Sequence, residues 1–304
     1  MSSSGVSSIY NFPTEFVENL QVLHNGLLLL STMKSPTGLL YTLDPTIPNP
    51  QARVVTTFGD NVTALTGIAP LPGCDDLYAV SGGLHTSFAF ERGSMQVYVV
   101  SLKTGKIVDE IPVPDTATMN GMTALPRAPH ILLSADSIQG RILAIDTRTH
   151  KVNVVMEDEI LGPATNNLSS TVPSVGINGL RVRDSFVYFT NSGQGTFVRV
   201  HIDDSGRRIG NFEVLARSPD PTRIYDDFTF DHDGNAFVAT HSTSVIKITP
   251  DGEQTVFVDG DPFLKEPTSV ALANDGKSIF VTTGGNFTAT PREGGRVVQI
   301  QLAG

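Results

Sequence analysis

The sequence predicts an all-β protein in which residues 1–304 form one domain, a six-bladed β-propeller. The chain has 28 glycines, 19 prolines and only 17% charged residues, a composition typical of short strands joined by many turns. One pattern of four short strands recurs six times, with a period of about 50 residues, which is typical of propellers. No helical hydrophobic period of useful length competes with this pattern.

Each repeat opens with a polar residue beside a short apolar strand. A turn leads to a second apolar strand, a glycine-containing gap leads to a third, and a more polar fourth strand ends the repeat. Four strands of about five residues, with their turns, fill the period. The openings, in chain order, are Glu18, Thr66, Asn120, Asn178, Asp226 and Thr268. The second strands read, in the same order, GLLLLST, DLYAVSGG, HILLSADS, FVYFTNS, AFVATHS and SIFVTTGG.

The sixth repeat has only three strands before the chain ends. An unpaired strand at that edge would favour aggregation. The segment SSIYNF near the N-terminus is strand-like and precedes the first repeat. We therefore expect it to supply the missing outer strand and to close the ring.

Charge and cysteine content narrow the functional classes. The net charge is −10 and no basic cluster exists, so the sequence predicts no nucleic-acid partner. No apolar run approaches the ~18 residues of a membrane span. The N-terminus lacks the features of a signal peptide and Cys74 is the single cysteine, which together favour a cytoplasmic protein. Neither composition nor charge indicates an oligomeric state.

A propeller collects its functional residues at one mouth of the central tunnel. The six opening residues converge there, and the loops after the second strands add Met33, His85, Asn191 and His241. Two long loops, 82–94 and 156–175, lie on the same face, and long loops in a compact fold are often functional. Phe88 and Phe90 make the first loop either an apolar cover over a pocket or a hydrophobic plug that closes the propeller.

The pairs Asn120-Gly121 and Asn178-Gly179 have two interpretations. Asn-Gly is a strong turn signal. Both pairs, however, precede an apolar strand at the same phase of the repeat as Asp226-Asp227. We therefore favour a polar ring at the tunnel mouth over ordinary turns.

Two segments carry a family resemblance. GINGLRVRDSFVYFTNSG and YDDFTFDHDGNAFVAT resemble the regucalcin/gluconolactonase group of six-bladed propellers. That resemblance implies a divalent cation, often calcium, at the tunnel mouth, with Glu18, Asn178 and Asp226 at the matching positions. Four segments are similar to those of a fungal branch of these propellers: ENLQV, NGMTALP, GINGLRVRD and FVTTGG. This branch acts in secondary metabolism and includes hetero-Diels–Alderases.

The favoured hypothesis is a pericyclase that joins a tropolone-derived o-quinone methide to a humulene-type sesquiterpene without a cofactor or metal. Holding two reactants together supplies an effective molarity of ~10⁵–10⁸ M. Asn120, Asn178 and His241 would donate hydrogen bonds to the quinone methide oxygen, and Asp226 or Glu18 would assist water loss from a precursor. The expected apolar wall consists of Met33, Phe88, Phe90, Phe228 and Phe287. Further expected substrate contacts are Thr66, His85, Asn191, Asp227 and Thr268.

Two alternatives remain open. In a calcium-dependent lactonase, Glu18, Asn178 and Asp226 would hold the ion, which polarises the lactone carbonyl, and Asp226 or Asp227 would activate water. A non-catalytic binding propeller is the third hypothesis. Chelator-sensitive lactone hydrolysis would identify the lactonase, and a charged or aromatic patch on the rim would favour the binding protein.

Overall fold

A computed structural model describes residues 5–33, 36–73, 76–86, 89–116, 118–164, 175–286 and 289–302. Over these residues the fold is all-β and propeller-like, and they include no helix. They likewise contain no helix long and apolar enough to cross a bilayer.

Twenty-four strands follow the order that the repeat predicts, and His85–Thr86 and Ala89–Phe90 form an additional two-stranded sheet, so the described residues form twenty-six strands. In chain order they are β1 Val6–Asn11, β2 Phe16–Val22, β3 Leu28–Met33, β4 Leu39–Leu43, β5 Arg53–Thr57, β6 Ala64–Pro70, β7 Leu77–Gly83, β8 His85–Thr86, β9 Ala89–Phe90, β10 Gln96–Ser101, β11 Lys106–Pro112, β12 Met119–Leu125, β13 Ala128–Asp136, β14 Arg141–Asp146, β15 Val152–Glu157, β16 Ile177–Arg183, β17 Phe186–Asn191, β18 Thr196–Ile202, β19 Arg208–Arg217, β20 Ile224–Phe230, β21 Ala236–His241, β22 Ser244–Ile248, β23 Gln254–Val258, β24 Pro267–Leu272, β25 Ser278–Thr283 and β26 Arg296–Gln301.

The strands form antiparallel sheets of consecutive members. Three four-stranded sheets are β12–β15, β16–β19 and β20–β23, each in chain order. A fourth has the order β1-β26-β25-β24, so the N-terminal strand is its outer member. An eight-stranded sheet consists of β2–β5 and of β6, β7, β10 and β11, and the single pair Met33–Ala64 joins its two halves.

The first strands of the repeats surround a common axis. They contact one another in the cyclic order β2, β6, β12, β16, β20, β24 and back to β2. The apolar core lies in clusters between adjacent strand groups, because each strand presents alternate side chains to opposite faces of its sheet. One such cluster, which includes Leu28, Leu30, Phe280 and Val297, joins the last group to the first.

Buried hydroxyls form hydrogen bonds between neighbouring strand groups. Thr66 donates to the carbonyl of Met119, and Thr268 donates to the carbonyl of Val17. Ser31 and Ser192 make equivalent bonds to the carbonyls of the next first strand. These bonds hold the starts of the first strands at fixed positions around the axis, which is where the candidate site lies.

Candidate functional site

The six opening residues all lie within the first three residues of the first strands, as the repeat phase predicts. Each is at least nine-tenths buried. The two Asn-Gly pairs lie inside β12 and β16 and not in turns. This position favours the polar ring over the turn interpretation. The ring lies at one end of the central axis, which we call the mouth.

Three side chains form a hydrogen-bonded chain at one side of the mouth. His241, at the end of β21, has its Nε2 2.7 Å from Oδ2 of Asp226 on β20. Its Nδ1 is 2.6 Å from Oε2 of Glu266, the residue before β24. The exposed side-chain fraction decreases inward from 42% at Glu266 to 25% at His241 and 7% at Asp226. The chain therefore leads from solvent into the mouth.

The charge state of His241 follows from its two carboxylate partners. Burial alone lowers the pKa of His241, but the hydrogen bonds and charges of Asp226 and Glu266 outweigh burial and raise the pKa to about 10. The ring is therefore an imidazolium at neutral pH, and both of its N–H groups are engaged. His241 was expected to donate to a substrate oxygen, but both of its ring nitrogens contact carboxylates here.

Two buried acids, Glu18 and Asp226, lie close enough at the mouth for their charges to interact. Burial raises the pKa of Glu18 well above its ordinary value, and the nearby charge of Asp226 raises it further. Burial also raises the pKa of Asp226, while the hydrogen bond and charge of His241 oppose that shift. The imidazolium favours the ionised form of Asp226, so Glu18 is the acid that retains a proton more readily. Environments that move the pKa values of two carboxyl groups apart in this way are typical of a general acid and a general base.

Asn178 completes this side of the mouth. Its Nδ2 donates to Ser192 Oγ at 2.9 Å, which fixes the orientation of the amide, and Asn178 also hydrogen-bonds the carboxylate of Asp226. Its Oδ1 is buried and has no hydrogen-bond donor among the residues that the structure describes. A ligand with an N–H or O–H group would satisfy this oxygen. Asn120 lies on the neighbouring strand β12, also nearly buried.

Asp227 belongs to a layer below the mouth. Its Oδ2 accepts hydrogen bonds from Asn19 Nδ2 at 2.9 Å, Arg181 Nη2 at 2.9 Å and Ser269 Oγ at 3.1 Å. Its Oδ1 accepts the N–H of Phe228 at 2.8 Å. These partners saturate the carboxylate, so Asp227 holds four first strands together and has no capacity left for the substrate or water contact that the sequence suggested.

Several other predicted contacts have structural partners. The Thr66 and Thr268 hydroxyls form the ties between groups described above. Asn191 donates from Nδ2 to the carbonyls of Ile160 and Gly162, at 2.9 and 2.8 Å, and anchors the base of the second long loop. All three side chains are almost fully buried. We therefore correct their expected role from substrate contact to support of the mouth.

The predicted apolar wall is present only in part. Phe90 belongs to a buried cluster with Met95 and Met119, and the half-buried Met33 packs against that cluster. Met119 immediately precedes Asn120, so this cluster lies beside the mouth. Phe228 is fully buried in a different cluster with Phe197 and Val238, which corrects its expected place in the wall. Phe88 and Phe287 lie outside the described residues.

The first long loop contains a short hairpin, β8–β9. His85 pairs with Phe90 across it, and the two rings are 5.0 Å apart, edge to face. The hairpin is fastened to the body because the His85 N–H donates to Thr63 Oγ1 at 2.8 Å. Burial lowers the pKa of His85, which keeps its ring neutral at pH 7. Most of the second loop, residues 165–174, lies outside the described residues.

The fit of a calcium ion can be judged from the oxygen donors. Calcium takes six to eight oxygens. Glu18, Asp226 and Asn178 Oδ1 offer hard oxygens, but Oδ2 of Asp226 is bound by the His241 imidazolium at 2.7 Å. In the described part of the chain, no group of three or more His, Cys, Asp or Glu is arranged to hold a metal. These residues alone do not complete a calcium site, because they supply three hard-oxygen groups and one of them, Asp226, is already hydrogen-bonded to His241.

Two members of the site were missed by sequence reasoning. Glu266 carries the outer end of the three-residue chain, and Ser192 orients Asn178. The sequence indicated Glu266 only by its position two residues before Thr268, which opens the sixth repeat. The sequence indicated Ser192 only by its position as the first residue after β17, in the segment TNSG.

The comparisons with known proteins agree with the motifs. The family model described as the SMP-30/gluconolactonase/LRE-like region matches residues 176–285. A provisionally named hetero-Diels-Alderase of Phoma sp is 28% identical over 320 residues, which cover 95% of this chain and 88% of the relative. Another, of Sarocladium schorii, is 24% identical over 323 residues, which cover 93% and 79%.

A solved structure of a luciferin-regenerating enzyme shares the fold. Its TM-score with this chain is 0.70 at 18% identity, and the match covers 99% of this chain and 96% of the other. The chain therefore resembles the SMP-30/gluconolactonase group of propellers and, over nearly its whole length, the fungal hetero-Diels-Alderases, as its motifs predicted.

Proposed function

We propose that the protein is a hetero-Diels–Alderase that joins a tropolone o-quinone methide to a humulene-type sesquiterpene at the mouth. The observation that carries the proposal is a buried acid pair, Glu18 and Asp226, beside the apolar cluster of Phe90 and Met119. The relatives named as hetero-Diels-Alderases, which match more than nine-tenths of the chain, support this class of reaction.

We infer that the six first strands are the inner strands of six blades. The cyclic order of their contacts supports this count, as does the core cluster that joins the last group to the first. In this interpretation the eight-stranded sheet is two blades joined at Met33, and β1 closes the ring as the outer strand of the sixth blade. A single domain of residues 1–304 follows from it.

The acids would first generate the heterodiene. Glu18 protonates the hydroxyl of a hydroxymethyl tropolone, which leaves as water, while Asp226 accepts the proton of the ring hydroxyl. The product is the o-quinone methide, and the two acids have exchanged their protonation states. Transfer of the proton from Asp226 back to Glu18 then restores the starting protonation states.

Cycloaddition itself requires that the two reactants are held in the right orientation and that the heterodiene is polarised. One C–C and one C–O bond form between the heterodiene and an alkene of the sesquiterpene, with no leaving group and no nucleophile on the protein. The apolar cluster would hold the hydrocarbon, and the Glu18 O–H and the Asn120 amide would donate to the developing negative charge on oxygen. Asn178, also expected to donate, has its N–H groups engaged by Ser192 and Asp226, so it would instead accept a hydrogen bond from a reactant hydroxyl through Oδ1. We therefore propose no cofactor and no metal. Apolar and aromatic small molecules are the proposed partners, and a cytoplasmic location remains a prediction.

The test is a cycloaddition assay with the two reactants. The protein should change both the yield and the stereoisomer ratio of the adduct relative to the uncatalysed reaction. Asp226→Asn should lower kcat about 100-fold when assayed well below its Tm, a loss of turnover far larger than its loss of stability. Asp204→Asn, at an exposed aspartate, is the matched control and should change neither.

Two results would overturn the proposal. One is an adduct ratio that is the same with and without the protein. The other is lactone hydrolysis that requires added calcium and is abolished by a chelator, which would establish the lactonase instead.

A further inference from the structure

Glu266 contacts the outer side of the His241 ring, away from Asp226. The Glu266 Oε2 to His241 Nδ1 distance is 2.6 Å, and the His241 Nε2 to Asp226 Oδ2 distance is 2.7 Å. The ring therefore bridges two carboxylates and is held at both nitrogens. A ring held at one nitrogen breaks one hydrogen bond when it rotates about its Cβ–Cγ bond, whereas this ring must break two charge-assisted hydrogen bonds.

The backbone of Glu266 is held in place from two directions. Its N–H donates to the carbonyl of Ser242, at 2.8 Å, in the loop after β21, and its carbonyl accepts the N–H of Gly284, at 2.7 Å, after β25. Its φ is 53°, in the left-handed region that costs a side-chain-bearing residue about 1–2 kcal/mol. These bonds offset that cost and aim the side chain at His241, so the contact is built into the fold.

We propose that Glu266 is a positioning residue: through the His241 ring it fixes the orientation of the Asp226 carboxylate toward the reactants. The inference rests on the proposed function for its effect on turnover. Glu266 itself, whose side chain is 42% exposed, does not touch the reactants. This positioning role requires an acceptor oxygen at Glu266, because the Nδ1–H of His241 needs a hydrogen-bond partner.

The experiment compares Glu266→Ala and Glu266→Gln with Glu213→Ala. Glu213 is a matched control, because it is a similarly exposed glutamate in an ion pair, with Arg199. Glu266→Ala should lower kcat by about 10-fold to 100-fold and leave KM within about twofold. Glu266→Gln should keep most of the activity, because its amide oxygen accepts from Nδ1–H. Glu213→Ala should resemble the wild type.

A second measurement separates this inference from the proposed function. In protein labelled with ¹⁵N-histidine, His241 should give two protected ring N–H signals, assigned by their loss in His241→Asn. Glu266→Ala should abolish the protection of Nδ1–H, and Glu266→Gln should retain it.

The outcomes are distinct. Wild-type protein that shows both N–H signals but no cycloaddition contradicts the proposed function and leaves the hydrogen-bonded chain standing. An active wild type with an equally active Glu266→Ala variant overturns the positioning role, and so does a Glu266→Gln variant as poor as Glu266→Ala.

Discussion

Glu18 and Asp226 are an unfavourable pair for stability. Both are almost fully buried and carry acidic side chains, and His241 is the cation that contacts Asp226 directly. Burial penalises the charged form of a carboxyl, so a second ionised acid beside Asp226 opposes folding. Sites that keep such a pair commonly trade stability for function.

Glu18→Gln should therefore stabilise the protein while it lowers activity. Burial raises the pKa of Glu18 in the folded state, so the unfolded chain releases this proton at lower pH, and the folded state becomes relatively less stable as pH rises through the raised pKa. The amide removes that penalty. We expect Tm at pH 8 to rise by about 2–4 °C, with little change at pH 4. Calorimetry at the two pH values measures this, and an equal shift at both would contradict it.

His241 adds a second pH dependence. Its pKa is raised from 6.5 to about 10, so its contribution to stability is fully present below pH 6.5 and is lost as pH rises through about 10. His241→Asn should flatten the fall of Tm between pH 7 and pH 10. The exposed His150, paired with Asp109, provides the control variant His150→Asn. The prediction fails if both variants follow the wild-type curve.

At the scale of the strands, glycines permit the close approach of β6, β12, β16 and β20. A Cβ at Gly121 would lie 2.5 Å from the carbonyl oxygen of Asn178, and a Cβ at Gly179 would lie 2.7 Å from the Cα of Asp227. The Asn-Gly pairs thus combine a polar residue for the mouth with a glycine for packing. Turn geometry is not the reason for glycine at these positions.

Gly179→Ala should destabilise the protein strongly. The neighbouring obstacle is backbone, so relief requires β16 and β20 to separate, and we expect a loss of about 3 kcal/mol or more in the free energy of unfolding. Gly59→Ala is the control, because a Cβ there meets nothing within 4 Å. Urea unfolding of both variants checks this. Similar midpoints for the two would show that the first strands tolerate wider spacing.

At the scale of the molecule, β1 joins the two ends of the chain. It pairs with β26 from Val6–Ile300 to Asn11–Arg296. Val6 and Tyr10 also pack against the core on either side. Without β1, the outer edge of β26 would be unpaired, and such edges promote association between molecules.

Deletion of residues 2–11 tests this closure. We expect Tm to fall by about 10 °C and the protein to aggregate on heating. Deletion of residues 2–4 leaves β1 intact and should have no effect. Light scattering during thermal unfolding distinguishes the two, and identical behaviour would exclude a closing role for β1.

Much of the fold could be predicted because strand signals are local. Alternating apolar residues and nearby turn residues define each strand within about ten positions. The repeat phase then indicated the mouth, including Glu18, Asn178 and Asp226. It did not separate Asp226 from Asp227, because the two adjacent acids occupy the same phase and differ only in the partners that other strands provide.

The amino-acid pattern alone thus predicted the strand order and the residues that open the first strands, since these depend on neighbours along the chain. The folded molecule settled which side chains are free to react. Asn19 and Asp227 are 208 residues apart, and His241 and Glu266 are 25 apart. Such partners meet only because the first strands converge on one axis, and no local pattern encodes the direction in which each side chain then points.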